Sequence, residues 1–145
     1  NNYFKEFIIQ EYITGFKTLG EIKMFWINNQ YSYAVNIKNN KYEMESVKFV
    51  TDDKILNECK IIGERSINLT PPIIVNKKKV LPVMLRTDFT CCLNNDYKKM
   101  KYYLNEIEHQ DAHSYTSFTN ITYPYVSVMA DAFVKKAYEL VELGF

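Results

Sequence analysis

The residues best suited to chemistry stand in two short runs, Leu85-Arg86-Thr87-Asp88-Phe89 and Tyr103-Leu104-Asn105-Glu106-Ile107-Glu108. Successive side chains of a strand point to opposite faces, so Arg86 and Asp88 share one face and Glu106 and Glu108 share another. If the two runs pair across the polar loop at 94–100, Asp88, Glu106 and Glu108 surround one point. Carboxylates gathered there repel unless something positive sits among them. A hard divalent cation, Mg²⁺ or Mn²⁺, answers that need, because such ions take oxygen ligands and are held by a few carboxylates together with substrate phosphates. The plainer reading of Arg86 beside Asp88 is a surface ion pair of little worth.

Elements that position these groups can be read on either side. Residues 7–13 (FIIQEYI) read as an apolar strand leaving the core, ended by the turn chemistry of Thr14-Gly15. A hairpin follows, 21–27 and 31–37 flanking Asn28-Asn29, a pair that tolerates the positive φ of a type I′ turn. Glu21, Lys23 and Phe25 fall on one face of it, and Ile22, Met24 and Trp26 on the other. A short strand ends at 47–50, and Asp52 caps a helix whose Ile55, Leu56, Cys59 and Ile62 recur at the helical period up to about Ile67. Thr70-Pro71-Pro72 breaks that pattern. The Lys77-Lys78-Lys79 run reads as a solvated turn, with phosphate or an acidic partner as the other option. Residues 80–93 and 101–108 make the acidic hairpin, and 109–122 read as a loop. Pro124 opens a final helix in which Val126, Met129, Ala130, Phe133, Ala137, Leu140 and Val141 draw a stripe expected to pack on a sheet.

A chain of 145 residues suffices for one domain with a real core. Its 47% hydrophobic and 24% charged residues are ordinary for a soluble globular protein, and a formal charge of +1 argues against nucleic-acid or membrane-surface binding driven by bulk charge. The basic residues are Lys except for Arg65 and Arg86, and with abundant Asn, Ile and Tyr this is the composition of an AT-rich genome. Cys59, Cys91 and Cys92 form no CxxC pair and suggest a reducing, cytoplasmic setting. No apolar run is long enough to span a bilayer. The start at Asn1-Asn2, without Met, reads as a fragment.

Taken in order, these motifs resemble the C-terminal half of an ATP-grasp domain, the fold of D-alanine ligase, glutathione synthetase and related carboxylate–amine ligases. The shared sequence is an apolar strand to a hinge, a Gly-Glu pair (Gly20-Glu21), a hairpin, an Arg-x-Asp strand (Arg86, Asp88) and a strand ending in Glu-x-Asn or a variant (Glu106, Glu108). The stretch FIIQEYITGFKTLGEIKMFWINNQYSYAV at 7–35 is similar to members with a Gly-Glu between hinge and hairpin. The resemblance implies an α+β fold, an antiparallel sheet with packed helices, over residues 1–145. It also implies an ATP- and Mg²⁺-dependent (or Mn²⁺-dependent) ligase acting through an acyl phosphate. Its substrate would be a small-molecule or peptide carboxylate.

Position by position, Gln10, Glu11, Tyr12 and Ile13 would be the hinge that receives adenine, the backbone of Glu11 and Ile13 reading the ring edge and Tyr12 lining the pocket. Without the downstream motifs, the same residues read as a core strand. Glu21 matches the acid that accepts bonds from the ribose hydroxyls, and Lys23 on its face either approaches a phosphate or pairs with Glu21. Lys38 resembles a Lys held near the transferred phosphate; otherwise it is a solvated loop residue. Asp88, Glu106 and Glu108 would be the Mg²⁺ ligands. Arg86 would hold the acyl phosphate or the substrate carboxylate with its planar fork. Glu108 stands where many members have Asn, which keeps coordination and lowers the site charge by one. His109 and His113, four apart, lack a third ligand for a transition metal.

The four glycines, at 15, 20, 63 and 144, are too scattered for a phosphate-cradling loop, so the N-terminal lobe is expected outside these residues. Two further readings stand beside the ligase. One is a catalytically inactive ATP-grasp-derived structural or interaction module of a viral or other large assembly, favoured by the many tyrosines. The other is a mixed α+β domain whose acidic hairpin is merely solvated, with Asp88 and Glu106 far apart.

Overall fold

The structure, a computed structural model, describes residues 9–39, 44–93, 100–109, 114–115 and 124–145. The first two residues of the 7–13 run, His113 and most of the loops at 94–100 and 109–122 lie outside the described residues.

Asn28 and Asn29 take φ of 50° and 62°, the two positive values a tight turn needs, and so fold β1 (Glu21–Ile27) back on β2 (Gln30–Asn39). Strand β3 (Met44–Phe49) extends the ladder beyond β2. On the other side of β1 lie β6 (Met84–Leu93) and, as the outer strand, β7 (Met100–Glu108), giving an antiparallel five-stranded sheet of order β3-β2-β1-β6-β7. Between β3 and β6 the chain forms α2 (Asp53–Leu69) and a two-stranded ribbon, β4 (Ile73–Val75) with β5 (Lys78–Val80).

The alternation expected along β1 decides the packing. Ile22, Met24 and Trp26 join Ala34, Leu85 and Phe89 in a core covered by Cys59 and Ile67 of α2. Asp52 caps that helix, accepting the amides of Lys54 at 2.9 Å and Ile55 at 3.2 Å. Gly63 lets it lie close, because a Cβ there would stand 2.5 Å from the Trp26 ring. On the opposite face Phe25, Tyr33, Val35 and Ile37 form a second core, with Phe25 stacked on Tyr33 at 4.4 Å.

Three expectations are corrected. Residues 9–13 form no strand: Ile9 is 96% exposed, and the Ile13 carbonyl accepts the Phe16 amide at 3.1 Å, which starts the short helix α1 (Gly15–Leu19) where a turn was expected. Lys77 is a turn residue, but Lys78 and Lys79 belong to β5, because Asn76 and Lys77 adopt positive φ and close a small hairpin. The final helix, α3 (Tyr125–Glu142), touches the sheet with one edge of its stripe, at Met129, and not with the stripe's centre. Its buried residue is Ala132, with Tyr125 and Met129 against the second core, while Phe133 stays 50% exposed and Val141 66%. At 100° per residue, the stripe centred on Phe133 and Ala137 lies about a quarter of a turn from that contact. Among the described residues no helix is long and apolar enough to cross a membrane.

Candidate functional site

The face of the sheet that carries the second core turns polar at one end, where strand register gathers residues far apart in sequence. Lys23 on β1 stands opposite Asp88 on β6, and Asp88 stands opposite Glu106 on β7. Directly opposed residues of an antiparallel pair share a face, so Lys23, Asp88 and Glu106 form one row. One step along, Phe25, Arg86 and Glu108 form the next.

Asp88 is wholly buried and fully engaged. Arg86 donates to it through a two-pronged fork, Nε to Oδ1 at 2.7 Å and Nη2 to Oδ2 at 2.9 Å. Lys23 donates to the same Oδ2 and pairs with Glu21 at 2.7 Å. This is not the surface pair that is worth little, since Arg86 is 6% exposed and Lys23 8%. Burial by itself lowers the pKa of Lys23, but hydrogen bonds to Asp88 and Glu21 and the charges of both acids outweigh it, and the net shift is upward. Arg86 behaves alike: burial opposes its charge, while the bond to Asp88 and the charges of Asp88, Tyr115 and Glu108 raise its pKa.

Glu21 links this ionic group to a neighbouring cleft. Asn105 donates from Nδ2 to Glu21 Oε1 at 3.3 Å and accepts Gln10 Nε2 on its own Oδ1 at 3.3 Å. A bonded chain thus runs Gln10, Asn105, Glu21, Lys23, Asp88, Arg86. The cleft, of about 470 Å³, is lined by Gln10, Glu11, Tyr12 and Ile13 together with Phe16, Thr90, Tyr103, Leu104 and Asn105. Gly15 holds its rim in place, since a Cβ there would lie 1.5 Å from the Cys91 carbonyl of β6. Aromatic and aliphatic walls with amide edges suit a flat heteroaromatic ring.

The four residues expected at a hinge therefore line one cleft, with Glu21 and the Asp88 row bonded to it. Lys38 does not join them. It is exposed in another cleft, beside Asn36, Ser46 and Lys48, because alternation along β2 sends it to the side of Asn36. The sequence reading passed over Asn105, Thr90, Phe16 and Tyr103 as lining residues. For Asn105 a signal existed. Tyr102, Leu104 and Ile107 all pack on the α2 core, a spacing of two and then three, which marks one extra residue in the strand. The register shifts there: Leu104 opposes Phe89, Glu106 opposes Asp88, and Asn105 is the bulge between them.

For Mg²⁺ the donor chemistry fits a shared site. Among the described residues no group of three or more His, Cys, Asp or Glu side chains could hold a metal alone, which agrees with the engagement of Asp88 by two cations. Asp88 and Glu106 on one row match the one or two carboxylates that hold Mg²⁺ when phosphates supply the remaining oxygens.

No protein-family model matches the sequence, and no curated protein matches it. Among solved structures the chain is similar to one described as the ATP-grasp ligase PsnB complexed with minimal precursor, at a TM-score of 0.52 and 15% identity over 88% of this chain. It spans 36% of the length of that chain. At this identity the likeness carries the fold: an α+β antiparallel sheet with packed helices of the ATP-grasp kind. It does not single out D-alanine ligase or glutathione synthetase within that fold.

Proposed function

We propose that this chain is the nucleotide- and metal-binding half of an ATP-dependent ligase that joins a carboxylate to an amine or thiol. In this reading residues 1–145 are the C-terminal part of an ATP-grasp domain, and the N-terminal lobe belongs elsewhere in a cytoplasmic protein. One observation carries it: the cleft of Gln10, Glu11, Tyr12 and Ile13 is joined through Asn105 and Glu21 to the Lys23, Asp88, Glu106 row, on a sheet similar to that of an ATP-grasp ligase.

Adenine enters the cleft between Tyr12, Phe16 and Tyr103, where the backbone of Glu11 and Ile13 reads its edge. Glu21, a double acceptor, meets the ribose hydroxyls. The triphosphate then lies over the charged row. Asp88 and Glu106, with Glu108 beside them, would hold Mg²⁺, which when bound neutralises charge as the γ-phosphoryl leaves. A substrate carboxylate oxygen attacks the γ-phosphorus as the bond to ADP breaks; an amine or thiol then attacks the acyl carbon and releases phosphate. In this reading Arg86, while keeping its fork on Asp88, would also hold the acyl phosphate or the incoming carboxylate. Lys38, in its separate cleft, would take part only if the second half of the domain brought phosphate to it. Holding reactants in line and balancing charge supply the rate enhancement.

The test is Asp88→Asn and Glu106→Gln in the intact protein. Loss of one metal-bound carboxylate should lower Mg²⁺-dependent ATP turnover by about a hundredfold or more; unchanged turnover in both variants removes the ligase reading. The exposed stripe of α3, with Phe133, Val134, Tyr138 and Val141, favours a second reading, an inactive ATP-grasp-derived interaction module. Thermal stabilisation of the intact protein by ATP with Mg²⁺ separates the two, since a module that has lost the nucleotide shows no shift.

A further inference from the structure

The four charged side chains at the centre of the site are balanced among themselves: Lys23 and Arg86 carry two positive charges, Glu21 and Asp88 two negative. They are also shut away from water. Lys23 is 8% exposed, Arg86 6%, Asp88 0%, and the Glu21 side chain 13%. The two remaining acids of the row pair, Glu106 and Glu108, lie further out, Glu106 exposed and Glu108 partly buried. A divalent ion arriving alone thus meets a central group of four charges already balanced, in which the best ligand, Asp88, has one oxygen under Arg86 and the other under both Arg86 and Lys23.

The two cations are held differently. Arg86 grips Asp88 from the same strand through a fixed planar fork, whereas Lys23 reaches it by a single contact from the neighbouring strand and has a second partner in Glu21. A lysine can swing between two carboxylates on its four-carbon stem without leaving either unpaired. An ammonium is a compact point charge of the sort that a metal ion replaces.

We propose that Lys23 is a resident counter-ion occupying the cation position on Asp88, so that a divalent metal is admitted only with the nucleotide whose phosphates accept the displaced ammonium. This rests on the ligase reading, and makes Lys23 a positioning residue. With nucleotide present, Lys23 turns from Asp88 toward Glu21 and the phosphates, leaving Oδ2 with Arg86 and one lone pair for the metal. Without nucleotide it stays on Asp88 and Glu21, and the metal is kept out. Binding is thereby ordered, the metal entering together with the triphosphate.

The experiment measures Mn²⁺ binding to the intact protein from the paramagnetic resonance signal of free Mn²⁺, alone and with a non-hydrolysable ATP analogue. Wild type should bind Mn²⁺ alone weakly and Mn²⁺ with the analogue tightly. Lys23→Gln, which keeps the stem and removes the charge, should bind Mn²⁺ alone about tenfold tighter or better. Lys23→Arg, which restores the charge and guards against a folding defect in the first variant, should return Mn²⁺-only binding to the weak level. Equal or weaker Mn²⁺-only binding in Lys23→Gln than in wild type overturns the counter-ion role while leaving the ligase reading intact. Failure of wild type to bind Mn²⁺ with the analogue, with Asp88→Asn indistinguishable from it, overturns both.

Discussion

Thr87 points away from the charged row and meets the Trp26 indole, whose Nε1–H donates to its Oγ1 at 2.8 Å. Both residues are buried, Trp26 at 1% and Thr87 at 0%. Thr87→Val keeps the shape and deletes the acceptor, so the indole N–H is left without its bond. Loss of about 1–3 kcal/mol is expected, read from denaturant unfolding, and an unchanged midpoint contradicts it. The side chains that could be read at this scale were those governed by a period of two: Glu21, Lys23 and Phe25 on one face, Ile22, Met24 and Trp26 on the other. What could not be read was how Asp88 would be engaged. Its partners come from its own strand and from a strand 65 positions earlier, and that pairing is set by register rather than by any local signal.

The longer elements followed their local signals. Asp52, the helix after it and the Asn28-Asn29 turn are each fixed by a few neighbouring residues, and each stands as expected. Asp52→Ala removes the acceptor for two amides and should cost about 1 kcal/mol, measured by thermal or chemical unfolding. Asn29 holds φ at 62° with its side-chain oxygen buried and unpartnered, so Asn29→Gly is expected to stabilise the protein by up to about 1 kcal/mol; a lower midpoint would contradict that. Shorter pieces escaped notice. Helix α1 spans five residues and β4 and β5 three each, too few for a period to show. Residues 9–13 were given the wrong backbone, because an apolar run reads as a strand while nothing local reveals that no strand lies beside it.

Across the molecule, the buried weak acids make alkaline pH the vulnerable side. Burial pushes the Cys59 thiol from 9.0 up to about 12, and likewise the Tyr31 and Tyr102 hydroxyls from 10.0 up to about 12. Below about pH 9 these groups are protonated in both folded and unfolded chains and give no slope. Between about 9 and 12 the unfolded chain sheds protons that the folded one retains, so stability falls as pH rises. Lys23, raised above 10.5, adds a loss of the same sign at the upper end. Unfolding midpoints taken from about pH 8 to 11 should decline, and Cys59→Ala should flatten the first part of that decline; a level profile contradicts it. The sheet order was not legible in the sequence, since β1 joins β6 across β2, β3, the 17-residue α2 and a ribbon, with no local signal of that pairing. Nor was the setting of α3, whose stripe predicts a buried face without saying which neighbour covers it.

The bulge at Asn105 lengthens β7 by one residue without altering its phase. Leu104 opposes Phe89 and Glu106 opposes Asp88, neighbours on β6, so Asn105 is carried as an extra between them. A one-codon deletion there would close the ladder to plain alternation, keeping Glu106 on the charged row and Ile107 against the α2 core. What it would remove is the amide that ties Gln10 to Glu21, so the lesion would uncouple the cleft from the ionic group while sparing the packing beneath it.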